Sequence, residues 1–157
     1  MHLYHSWRIA SLPLPEDMIL VQRILLLKDI PLFSGMSPDS LALLAEVAEE
    51  STVGRGSKIF EKGSKGESLY VVIEGSVRIH DEGKTIATLE NGDFFGELSI
   101  LDQEARSASA TAESDSFFLR IDQESFRKIL RSHADLAENL LSSLAQRIRL
   151  QSSRIVE

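Results

Sequence analysis

Between residues 51 and 121 glycine interrupts the chain every few positions, and that spacing constrains its architecture more than any other feature. Short runs suited to strands stand at 51–53, 58–60, 68–74, 76–80, 84–89, 107–112 and 117–121. Turn signals separate them: Gly54-Arg55-Gly56, Gly63-Ser64-Lys65-Gly66, Gly75, Asp81-Glu82-Gly83 and Asn91-Gly92. Several short strands at such spacing specify an antiparallel sandwich or barrel. The glycines account for turns and say nothing by themselves about a ligand.

The stretch from Gly92 to Ser109 carries the chemistry. It runs Gly92-Asp-Phe-Phe-Gly96-Glu97-Leu98, then a short apolar turn, then Arg106-Ser107-Ala108-Ser109. Gly96 has no Cβ and lets backbone approach a ligand closely. A short helix starting at Glu97 would aim its unpaired N–H groups at whatever lies before it. Arg106 offers a planar fork of donors matched to a phosphate. Glu97 would repel a phosphate, so its place is explained if it accepts from a hydroxyl of the same ligand. A phosphate beside a sugar hydroxyl is a nucleotide. The competing reading is a hairpin turn with a surface Glu97–Arg106 ion pair, and it holds better for either residue alone than for both in one glycine-anchored cassette.

Phe95-Gly96-Glu97-Leu98 followed by Arg106-Ser107-Ala108 resembles the phosphate-binding cassette of the cyclic nucleotide-binding domains, the family of catabolite activators, regulatory subunits of cAMP-dependent protein kinase and gated channels. The resemblance covers residues 30–156 and extends to Gly56, Gly63, Gly66, Gly75, Gly92 and Tyr70. Gln103 and Ala105 depart from it, standing where many members have Gly and Pro. The resemblance implies a jelly-roll with helices at both ends, a glutamate (Glu97) on the ribose 2′-hydroxyl and an arginine (Arg106) on the cyclic phosphate. It assigns Ser107 and the Ala108 backbone as further phosphate contacts, with the Ser107 hydroxyl alternatively meeting a guanine amino group. Gly96, Glu97, Leu98, Arg106, Ser107 and Ala108 are the cassette's expected site residues.

Residues 1–15 lack periodicity and end in two prolines, as an arm or linker does; the domain is expected over 16–157, with helices over 16–50, the β section over 51–121 and helices over 122–157. Over 16–28, Ile19, Leu20, Ile24 and Leu27 recur at helical spacing, but Gln22-Arg23 interrupts the run, which is too short to span a bilayer. Ser37-Pro38-Asp39 is an N-cap signal with proline at the first helical position. Asp122 caps a helix carrying Phe126, Ile129 and Leu130. In the last helix, Leu141, Leu144, Ile148 and Ile155 lie on a seam with alternating steps of three and four, the pattern of a paired-helix homodimer. A stripe packed on the chain's own barrel is the competing reading, with Leu136 and Leu140 serving the barrel in either case. Extended along this helix, the resemblance puts Arg147 where an arginine reaches towards the ribose glutamate and puts Gln151 and Ser152 at the base. Gln151 is equally readable as a polar residue fixing the register of the seam.

Composition excludes several classes. The 157 residues fit one domain large enough to bury a core. There is no Cys, so no disulfide framework or thiolate metal site. The four histidines are scattered, which disfavours a metal site and an enzyme of cupin type. A net charge of −7 disfavours nucleic acid as the partner. The N-terminus lacks the apolar core of a signal peptide, and a cytoplasmic location is expected. The expected function is reversible binding of a cyclic nucleotide, cAMP or alternatively cGMP, coupled to movement of the last helix, with no metal, no other cofactor and no catalytic residues. The alternatives are a module of the same fold acting through protein contacts, and the sensory part of a larger transcription regulator or membrane protein.

Overall fold

The computed structural model describes residues 19–156, with side chains as far as Leu150. The arm expected over 1–15 and the start of the first helix at 16–18 lie outside the described residues, as do the side chains of Gln151, Ser152 and Ile155.

Helix α1 (Leu20–Lys28) buries Leu26 and Leu27 and leads into a 3-10 turn at Pro31–Phe33. Helix α2 (Pro38–Val47) starts where the sequence signalled, the Ser37 hydroxyl accepting from the Ser40 N–H at 3.2 Å. It ends before the expected Glu50, because Glu49 and Glu50 already pair in a strand with Arg120 and Leu119. Arg23 of α1 stabilises that early stop. Its guanidinium donates to Ala45 O and Ala48 O, both at 3.0 Å, and ion-pairs with Glu50 at 2.5 Å. Carbonyls that the helix end would leave orphaned are thereby satisfied.

Eight strands follow: β1 (Glu49–Val53), β2 (Lys58–Phe60), β3 (Ser68–Glu74), β4 (Val77–Asp81), β5 (Lys84–Leu89), β6 (Phe94–Phe95), β7 (Ser109–Ala112) and β8 (Ser116–Asp122). They form two antiparallel sheets of order β1-β8-β3-β6 and β2-β7-β4-β5. Within β3, Leu69, Val71 and Ile73 pack towards the helices while Val72 belongs to the core between the sheets, with Tyr70 packed against that core. β8 divides the same way, with Leu119 and Ile121 on the helical side and Phe118 between the sheets. A sheet covered on both faces requires strands that are apolar almost throughout, as these two are.

Helix α3 (Glu97–Asp102) lies between β6 and β7. Asp122 caps helix α4 (Gln123–Ser132), its carboxylate accepting from the Ser125 N–H at 3.0 Å. Helix α5 (Ala134–Val156) closes the domain. Leu136 and Leu140 are buried in the helical core, and Asn139 Nδ2 donates to Leu32 O at 3.1 Å and Ser34 O at 2.7 Å. The first half of α5 is thus fixed to the 3-10 turn. Among the described residues, no helix is long and apolar enough to cross a membrane.

Candidate functional site

The site is built where β6 runs into α3. β6 has only two residues, pairing Tyr70 with Phe95 and Val71 with Phe94. Phe94 packs into the helical core and Phe95 between the sheets, where its ring stacks on Tyr70 at 5.0 Å. Anchoring on both faces fixes the next residue. Gly96 turns the chain with φ +89° in the left-handed region, and α3 starts at Glu97.

Against this turn lies Arg106, 5% exposed. Its Nη1 donates to Gly96 O at 3.0 Å and its Nη2 to Ser68 O at 2.9 Å. The guanidinium carbon sits 4.0 Å from the centre of the Phe60 ring, and the buried Nε has no hydrogen-bond partner. Burial pushes the Arg106 pKa below that of a free arginine, while Tyr70, Glu97 and Glu67 act in the opposite sense. Arginine still keeps its charge. Among the described residues Arg106 is in no ion pair, so a buried cation is held by neutral carbonyls and an aromatic face. Such a group favours an anion as its remaining partner.

Glu97 is 5% exposed, and its Oε2 accepts from Arg147 Nη1 of α5 at 2.9 Å. Arg147 Nη2 donates to Phe94 O at 2.7 Å, and its guanidinium carbon lies 4.3 Å from the Phe94 ring centre. One side chain therefore ties the second half of α5 to the β6–α3 turn.

Gly96, Glu97, Leu98, Arg106, Ser107, Ala108 and Arg147 line one cleft of about 670 Å³. The remaining lining is largely apolar: Phe60 of β2, Ile79 of β4, Ile86 and Leu89 of β5, and Leu144, Ile148 and Leu150 of α5. A cleft with one charged end and apolar walls suits a ligand with an anionic group and a flat apolar part. Of the expected seam, Leu144 packs against the chain's own core and lines the cleft, whereas Leu141 is 67% and Ile148 62% exposed.

Sequence reasoning did not single out Phe60, which forms the aromatic face under Arg106, nor the apolar cleft walls. It read Gly66 only as a turn residue. A Cβ there would run into Ser99 and come within 3.1 Å of Arg106 Nε, so close packing also requires glycine at this position. No sequence signal separates that role from turn chemistry.

The family model for the cyclic nucleotide-binding domain matches residues 50–133, just over half of the chain. The chain belongs to this family. The domain is 35% identical to the cyclic AMP receptor protein of Thermus thermophilus over 128 residues, covering 78% of this chain and 59% of that protein. It is 30% identical to the regulatory subunit of the cAMP-dependent protein kinase of Aspergillus fumigatus over 112 residues, covering 70% of this chain and 27% of that protein. The crystal structure of the Thermus thermophilus catabolite activator protein superimposes with a TM-score of 0.71 at 35% identity, covering 80% of this chain and 61% of that one. The chain thus spans about three fifths of the length of the bacterial relative. The observed fold is the antiparallel jelly-roll with flanking helices that the resemblance implied.

Proposed function

We propose that this domain binds cAMP reversibly in the cleft, with Arg106 on the cyclic phosphate and Glu97 on the ribose 2′-hydroxyl, and that binding shifts α5. The observation that carries the reading is Arg106, buried, in no ion pair among the described residues and bonded to the carbonyl of Gly96 next to Glu97, at the charged end of an otherwise apolar cleft. A phosphate oxygen is a stronger acceptor for a guanidinium than a neutral carbonyl. The apolar walls receive the purine, and Ser107 and the Ala108 backbone add phosphate contacts. cAMP is placed ahead of cGMP because the cyclic AMP receptor protein matches at 35% identity over 78% of this chain, against 32% over 66% for a cGMP-dependent protein kinase. Gln151 and Ser152 continue along α5 from the cleft and are assigned to the base edge.

α5 meets the ligand through Leu144, Arg147, Ile148 and Leu150. A ligand moves a helix only if its affinity differs between two helix positions. Here Glu97 is shared between Arg147 and the sugar hydroxyl, and the base packs on α5, so both contacts change when α5 moves. The function is binding and signalling rather than a reaction.

Calorimetric titration of the purified chain with cAMP, cGMP and cyclic di-GMP tests this reading. Saturable binding of cAMP, tighter than of the other two, is expected; no heat from any of them refutes it. Glu97→Gln keeps an acceptor for Arg147 but removes the charge that draws the ribose hydroxyl. The variant is expected to bind cAMP more weakly and to lose most discrimination against 2′-deoxy-cAMP, a charge-assisted bond contributing about 1.5–3 kcal/mol. An equal loss for both nucleotides contradicts the ribose role.

The exposed Leu141 and Ile148 support a homodimer through α5. Leu141 does not line the cleft, so it separates dimerisation from binding. Leu141→Glu is expected to weaken the dimer by about tenfold or more in sedimentation equilibrium, since charges meet across the two-fold axis. Its cAMP affinity should stay unchanged, and a parent chain already monomeric at tens of micromolar (of the order of weak dimer affinities) ends the dimer hypothesis.

A further inference from the structure

A second depression, of about 590 Å³, shares no lining residue with the nucleotide cleft. It lies between α4 and the turn before β3, and its charged lining comprises four cations (Lys65, Arg127, Lys128 and Arg131) and three carboxylates (Glu67, Asp122 and Glu124). Two of those carboxylates are already engaged. Glu67 lies 3.6 Å from Lys65, and Asp122 accepts the Ser125 N–H as the cap of α4. Asp122 keeps its charge while it caps the helix, so the four cations exceed the three carboxylates by one. Among the described residues neither Lys128 nor Arg131 is in an ion pair, and both are exposed. A chain of net charge −7 thus presents a concavity with a small local excess of positive charge, in which Lys128 and Arg131 are exposed.

Arg127 has a second property. Its Nη1 donates to Ile100 O of α3 at 3.0 Å, and Ile100 is fully buried. α3 has six residues, flanked by Gly96 and Gln103 in the left-handed region. So short a helix closes few internal hydrogen bonds, and the Arg127 bond adds to the burial of Ile100 and Ser99 in holding it. The guanidinium lining the depression also clamps the helix that carries Glu97.

We propose that this depression is a docking site for an acidic peptide segment of a partner protein, and that Arg127 couples its occupancy to the nucleotide cleft. A peptide carboxylate offers Arg127 a charge-assisted bond stronger than the one to Ile100 O. Drawing Arg127 away loosens α3 and with it the setting of Glu97. Linkage is reciprocal, so a nucleotide that orders α3 weakens the peptide. The coupling rests on the nucleotide reading above; the docking does not. The occupant is a short segment rather than an extended nucleic acid backbone, because the net charge of −7 repels a polyanion that runs beyond the depression.

Anisotropy titration of a fluorescein-labelled polyglutamate peptide tests the docking. The parent is expected to bind with an affinity that falls as salt rises. Lys128→Glu with Arg131→Glu should weaken binding by about tenfold or more, while the charge-matched Lys28→Glu with Lys84→Glu on other surfaces stays within about twofold of the parent. No binding by the parent, equal binding by both double variants, or displacement of the peptide by a single-stranded oligonucleotide at lower concentration than by unlabelled peptide overturns the docking. Calorimetry with cAMP, with and without saturating peptide, then tests the coupling: about fivefold weaker cAMP binding is expected with peptide, and no difference in Arg127→Gln. Peptide binding with unchanged cAMP affinity overturns the coupling alone. Peptide binding by a chain that takes no cAMP supports the docking and refutes the nucleotide reading together with the coupling.

Discussion

Arg106→Ala is expected to abolish measurable cAMP binding at micromolar protein concentration. Each charge-assisted bond from a guanidinium contributes about 1.5–3 kcal/mol, and the variant also leaves a phosphate facing the apolar cleft without a counter-charge. A total loss of about 3 kcal/mol or more is a weakening of roughly a hundredfold or more. The fold should survive the change. Arg106 is buried and donates to two carbonyls, but it is a desolvated cation with an unsatisfied Nε, and removing it relieves that cost while creating a small cavity. Thermal melting separates the two effects. With ligand at about a hundred times its Kd the parent gains about 2.7 kcal/mol of stability, and the variant should gain none. Arg106→Lys should remain strongly impaired, because an ammonium is a single point charge where the planar fork now spans Gly96 O and Ser68 O. A variant that titrates like the parent removes the phosphate assignment.

What the sequence made visible differs sharply between the two halves of the cassette. The Gly96-Glu97 turn was legible because it depends on local chemistry, a glycine and a helix start side by side, whereas the strand expected from Ser107 begins only at Ser109. The cap residues Ser37 and Asp122 were legible for the same reason, each bonding the backbone three residues on. β6 escaped notice because two residues cannot display a period of two, although its Phe94 and Phe95 are what anchor the turn on both faces. Phe60 is equally invisible in sequence. It stands 46 positions before Arg106, and only the pairing of β2 with β7 brings its ring under the guanidinium. The end of α2 was misplaced because Arg23, on another helix, satisfies the last carbonyls and lets Glu49 and Glu50 enter β1. The seam residues show the limit of periodicity: the same pattern carries Leu144 against the core and Leu141 into solvent. Spacing marks a stripe without stating what it faces.

Gly96→Ala is expected to combine a large loss of stability with a loss of nucleotide affinity. A left-handed backbone costs an L-residue about 1–3 kcal/mol when the surroundings hold it there. A Cβ at this position would also stand 2.7 Å from Arg106 Nη1 and 2.8 Å from Ser68 O. Neither neighbour yields readily: Ser68 O belongs to β3, paired there with β8, and Arg106 is held by that same oxygen and by Phe60. Overpacking of this kind adds about 1–3 kcal/mol. At about 2–4 °C per kcal/mol for a chain of this size, the midpoint of thermal unfolding should fall by about 10 °C. Gly56→Ala supplies the comparison. Gly56 has φ +85°, nearly the same conformation, but nothing lies within 4 Å of its Cβ position. It should carry the backbone cost alone and leave cAMP binding untouched. The difference between the two variants therefore reports the packing of Arg106 on the turn. If that packing holds the phosphate-binding fork in place, Gly96→Ala loses nucleotide affinity even at temperatures where it is fully folded. Equal melting shifts for the two variants, with unchanged affinity in both, would show that Arg106 is positioned by something other than this turn.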